Sequence, residues 1–168
     1  MQRVTRLFVG IGSPHGDDQI GWLIADALSV RQLQFDFRKA KTPGELLDWL
    51  DSVDELVICD ACTNTTSLDA DQFESGFVRW LWPTPDIQYV RSANSHTLGL
   101  PQVLQLAQQL GTLPATVVIY GVRASSFNAF AQLSPSLTQQ LDSISDSIAQ
   151  ELVTIPTEDC GREVGDCA

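Results

Sequence analysis

The chain has 168 residues, 43% of them apolar, and carries 10 Lys or Arg against 21 Asp or Glu, a net charge of -11. That length suits one compact domain with a sizeable core, and the acidic balance repels phosphate backbones, which disfavours a nucleic-acid partner. The first apolar run is too short for a secretory signal and no stretch approaches the ~20 apolar residues of a membrane span. A soluble, cytoplasmic protein without a membrane partner is expected.

Apolar runs alternate with segments of helical period along the chain. "RLFVGIG" (6–12) is short and rich in Val, Ile and Phe, which predicts a buried strand. From Asp17 or Asp18, "DDQIGWLIADAL" sets Ile20, Leu23, Ile24, Ala27 and Leu28 at helical spacing, with an aspartate available as N-cap. "QLQFDFR" (32–38) alternates like a strand, and "TPGELLDWLDSV" opens a helix with Thr as cap and Pro in the first turn. "DELVICDA" (54–61) is a second strongly apolar strand, followed by the polar loop "CTNTTSLDADQFES".

"GFVRWLW" (76–82) predicts a further strand with Trp80 and Trp82 expected on opposite faces; the competing reading of "RWLWP" is a docking patch. "PTPDIQYVRSANS" is a Pro-containing loop with room for a short edge strand. "SHTLGLPQVLQLAQQLG" reads as a helix with Ser95 as cap and Gly111 as stop, and "ATVVIYGV" (115–122) as a buried strand. "SPSLTQQLDSISDSIAQELV" closes the domain with Leu137, Leu141, Ile144, Ile148 and Leu152 on one face. The pattern predicts a single α/β domain over 1–152, a three-layer sandwich whose mostly parallel, twisted sheet has helices on both faces. Residues 153–168 are expected to be a mobile tail.

In such sheets function collects at the carboxyl ends of the strands. Asp17 and Asp18 follow the first strand, Asp60 ends "LVICD", and His96 opens the helix after the 76–95 region. Two carboxylates and an imidazole suit zinc, nickel or iron better than calcium; without metal, a carboxylate pair can share a proton in acid-base hydrolysis. Taken singly, each has an ordinary role: Asp17 as a helix cap, Asp60 as a turn-maker, His96 as a capping or surface residue and His15 as a loop residue.

"CDAC" (59–62) has metal and redox spacing, but Cys59 ends an apolar run and no second close C-x-x-C accompanies the pair, so ordinary packing is the preferred reading. Cys160 and Cys167 lie in the polar tail. The glycines after the first strand do not complete a dinucleotide fingerprint: Gly16 comes one residue late and the aspartates would repel a pyrophosphate. No organic cofactor is expected. Ser13 is not in a G-x-S-x-G elbow.

Taken in order, "GIGSPHGDDQIG", "LVICDA" and "HTLGL" resemble the hydrogenase maturation protease family, over most of residues 5–152. "TPGELL" (42–47) and "IYGV" (119–122) are similar to further family segments. The resemblance implies an α/β sandwich and an endopeptidase that removes a short C-terminal extension from the large-subunit precursor of a nickel-iron hydrogenase after nickel insertion. It also implies that Asp18, Asp60 and His96 form the metal-contacting and catalytic set, with nickel supplied by the substrate, and that the protein is a monomer. Asp17 is left to local structure. The sequence departs from the family at Ser13, where asparagine is usual, in a loop to Asp18 shorter by one residue, and at Lys39, often an acidic position. These departures point either to a subfamily acting on a particular hydrogenase type or to a homologue with another substrate.

Two other functions fit some of these residues. A nickel-site assembly factor that docks on a precursor and cuts nothing would use the same ligands. A peptidyl-tRNA hydrolase has a similar first strand, but the asparagine and histidine expected after that turn are absent and the charge opposes tRNA.

Overall fold

Every residue from Glu55 to Cys62 is buried, which is what a strand requires when helices cover both faces of its sheet. The computed structural model describes residues 5–63, 76–85 and 98–154. Five strands, β1 (Arg6–Ile11), β2 (Asp36–Ala40), β3 (Glu55–Cys62), β4 (Phe77–Leu81) and β5 (Thr116–Arg123), form one sheet in the order β2-β1-β3-β5-β4. All neighbours are parallel except β4, which runs antiparallel to β5. The sheet is therefore mostly parallel, as the sequence predicts.

Helices α1 (Ile20–Ser29) and α3 (Pro135–Thr154) cover one face, packing Ile20, Ile24, Leu28, Ile144 and Ile148 on Phe8, Val57 and Tyr120. Helix α2 (Leu100–Leu110) and a 3-10 helix (Pro43–Asp48) cover the other, where Val103, Leu104 and Leu46 meet Val9, Ile58 and Ile119. Alternate residues of each strand feed these two cores, so the predicted three layers are present. The described part of α3 runs to Thr154, just beyond the expected boundary at 152. The tail from 155, the loop residues 64–75 and most of the expected edge strand in 83–95 lie outside the described residues.

Several boundaries differ from the sequence reading, each for a local reason. The first helix does not start at Asp17 or Asp18. A 3-10 turn (Gly16–Gln19) comes first, closed by Asp18 N donating to His15 O at 3.2 Å, and α1 begins at Ile20. Strand β2 starts at Asp36, not 32, because its pairing with β1 begins at Leu7 with Asp36; Leu33 and Phe35 only pack beneath it. "TPGELLDWLDSV" is a six-residue 3-10 helix, its start secured by Glu45 Oε1 accepting from Thr42 N and Lys41 N.

Helix α2 starts at Leu100 with Gly99 as N-cap, not near Ser95, because Pro101 has no N–H to bond four residues back and is accommodated only in a first turn. Its stop at Gly111, with φ 73, is as predicted. Trp80 and Trp82 both pack on the α2 side, contrary to the expectation of opposite faces, because side chains two apart along a strand share a face. Trp80 lies over Gly121, where a Cβ would come within 2.5 Å of its ring.

Candidate active site at the carboxyl edge of the sheet

The chain leaves β1 for β2 on one side and later enters β3 on the other, so the sheet reverses its strand order between β1 and β3. Connections at such a switch point diverge to opposite faces and open a crevice at the carboxyl ends of the two strands. Asp60 lies at this end of β3, one residue beyond the last β1–β3 pair, Gly10 with Cys59. Asp18 follows β1 in the 3-10 turn, which packs against β3. Of the two carboxylates predicted from sequence, one thus lies on β3 and the other in the turn that follows β1, the two strands that border the crevice.

Close helix-to-sheet approach sets this position. A Cβ on Gly21 would stand 2.1 Å from Ile11 O and 2.6 Å from Cys59 O, and one on Gly10 would stand 2.1 Å from Gly21 O. Only a glycine pair lets α1 lie this near β1 and β3, and the turn carrying Asp18 moves with α1. Asp18 is 5% exposed and Asp60 2%, so both acids are removed from bulk water. Ser13 Oγ donates to Asp18 Oδ2 while Ser13 N donates to Asp18 O at 3.2 Å. Asp60 Oδ1 accepts from Ala61 N at 2.7 Å. Buried carboxylates without apolar function are costly to keep, which makes them functional candidates here.

Asp17 points elsewhere. Its Oδ2 accepts from Ser125 N (2.9 Å) and Ser126 N (3.0 Å), and its Oδ1 from Ser134 N (2.8 Å), the residue before α3. Burial opposes its charge, yet the amides of Ser125, Ser134 and Ser126 outweigh that cost and hold its pKa below the ordinary value. Asp17 is therefore structural, as expected, but it clamps the loop after β5 instead of capping its own helix. Its serine partners are more than 100 residues away, and no local signal in the sequence announces them.

Among the described residues, no group of three or more His, Cys, Asp or Glu side chains could hold a metal ion. The third expected ligand, His96, lies outside the described residues. The C-x-x-C pair forms no site: Cys59 faces the α1–α3 core and Cys62 the α2 core, so strand geometry sends the thiols to opposite faces. Burial pushes both thiols up, Cys62 to about 11, with the neighbouring Asp60 adding to the shift. Neither thiol is poised as a redox thiolate at neutral pH.

No protein-family model matches the sequence, and no curated protein matches it. Solved structures do match its fold. The chain is similar to the hydrogenase maturating endopeptidase HybD from E. coli, with TM-score 0.69 and 22% identity over 89% of this chain and 93% of that one. It is similar to the [NiFe] hydrogenase maturation protease HybD from Thermococcus kodakarensis, with TM-score 0.65 and 19% identity over 89% and 99% of the two chains. A third, the [NiFe] hydrogenase maturation protease HycI from the same organism, gives 0.59 and 21% over 90% and 94%. At these identities the likeness establishes a shared α/β fold across nearly the whole length of each chain.

Proposed function

We propose that this protein is an endopeptidase that removes the C-terminal extension of a nickel-iron hydrogenase large-subunit precursor after nickel insertion. The observation that carries the reading is the pair of buried acids at the switch-point crevice, Asp18 in the turn that follows β1 and Asp60 at the carboxyl end of β3. The fold likeness to hydrogenase maturation proteases and the ordered motifs with His96 at "HTLGL" support it.

In this reading Asp18, Asp60 and His96 contact the nickel of the substrate, so cleavage waits for metal insertion. Two hard carboxylate oxygens and a borderline imidazole suit a borderline divalent cation. A cation so held polarises a carbonyl or lowers the pKa of bound water. The chain's part is to hold that cation and the adjoining peptide in register: Ser13 orients Asp18, the Ala61 amide orients Asp60, and α1 seals the turn against the sheet. The substrate brings the nickel and no organic cofactor is needed. The protein acts in the cytoplasm as a monomer; no helix among the described residues is long and apolar enough to cross a membrane.

The test is to incubate the protein with nickel-loaded and nickel-free precursor and weigh the products. Loss of a C-terminal peptide from the loaded form alone is expected, and Asp18→Asn, Asp60→Asn and His96→Ala should each lower the rate at least about 100-fold with an unchanged circular dichroism spectrum. Full activity in all three variants would remove these residues from the site. Binding to the precursor without loss of mass would instead identify a non-cleaving assembly factor.

A further inference from the structure

Phe130 is 80% exposed and has φ 55, a left-handed backbone that a bulky L side chain adopts at a cost. A loop that needed only to turn would carry Gly or Asn there. The residue is nevertheless held firmly. Its amide donates to His15 Nδ1 at 3.0 Å, and its ring meets the imidazole edge-on, with centroids 4.8 Å apart and planes at 74°. The next residue, Ala131, accepts from Gly16 N at 3.0 Å and Gln19 Nε2 at 2.9 Å. All of these partners belong to the segment that carries Asp18.

Position separates Phe130 from most other exposed apolar side chains. Val30, Leu110 and Val153 end or follow helices that return to the amino edge of the sheet, and Leu81 is at that edge on β4. Phe130, on the loop after β5, and Leu98, 53% exposed before α2, are at the carboxyl edge, and Phe130 is tied through His15 to the segment that carries Asp18. A rigid aromatic displayed beside a reactive site is the form that binding hot spots take, since little rotamer entropy remains to be lost on docking.

We infer that Phe130 is the docking anchor for the large-subunit precursor, inserting into an apolar pocket on the folded substrate while His15 fixes its direction. The inference rests on the protease reading above. Phe130 touches no reacting group; it acts by raising the occupancy of the precursor at the crevice. Its removal therefore belongs in KM, not in kcat.

The experiment measures cleavage of nickel-loaded precursor across a concentration series with the wild-type protein, Phe130→Gly, Phe130→Trp and His15→Ala. Phe130→Gly relieves the backbone strain, so its thermal midpoint should equal or exceed that of the wild type. Its KM should rise about tenfold or more with kcat within about twofold, Phe130→Trp should restore most of the lost affinity, and His15→Ala should fall between. Wild-type cleavage with an unchanged KM in Phe130→Gly overturns the anchor and leaves the protease reading standing. Failure of the wild-type protein to cleave overturns both. Sedimentation gives a further check: a wild-type dimer that Phe130→Gly converts to monomer would assign the ring to a second copy of the chain and overturn the inference.

Discussion

Adjacent aspartates take opposite directions in the turn after β1. Asp18 turns to Ser13 at the crevice, whereas Asp17, fully buried, accepts three backbone amides from the loop after β5. Charge-assisted bonds of this kind are the strong class, so Asp17→Asn should cost about 2–3 kcal/mol at pH 7 by urea unfolding. Its pKa is lowered by folding, so the carboxylate's contribution is complete above its unfolded value of about 4 and is lost as pH falls through the depressed folded value. The difference between wild type and Asp17→Asn should accordingly shrink between pH 5 and pH 2; a constant difference would mean that the amides of Ser125, Ser126 and Ser134 do not depend on the charge. The expectation that Asp17 serves local structure holds, but its partners belong to a distant segment that sequence spacing does not reveal.

At the scale of elements, periodicity carried most of the information. The continuous apolar runs at 6–12, 54–61 and 115–122 became β1, β3 and β5, because strands covered on both faces need no polar alternation. Boundaries were less legible where backbone pairing decides them, as at the 3-10 turn before α1 and at the start of β2. The glycines at 10 and 21 show the same limit: neither has a left-handed φ, and their need appears only when α1 is laid on the sheet. Gly21→Ala pushes a Cβ into the Ile11 and Cys59 carbonyls, which cannot yield as a flexible side chain would. It should cost about 3 kcal/mol, lowering the thermal midpoint by about 6–12 °C, and should slow precursor cleavage because the Asp18 turn shifts with the helix. Unchanged stability would show that α1 relaxes without strain.

For the whole molecule, the charge of -11 and the fold lead to one separation of functions. A chain this acidic lacks the counterion-release term on which tRNA binding rests, so no retardation of tRNA should be seen at about 0.1 M salt; binding there would revive the peptidyl-tRNA hydrolase reading. The sequence by itself determined the alternation of strands and helices and the layers they form, because burial period is a local property of the chain, and the resemblance of its ordered motifs singled out the candidates Asp18, Asp60 and His96. Only the tertiary structure decided that the strand order reverses between β1 and β3 and that Asp17 ties the Asp18 turn to the loop bearing Phe130. Those facts depend on strand order, register and contacts across more than 100 residues, which no local pattern encodes.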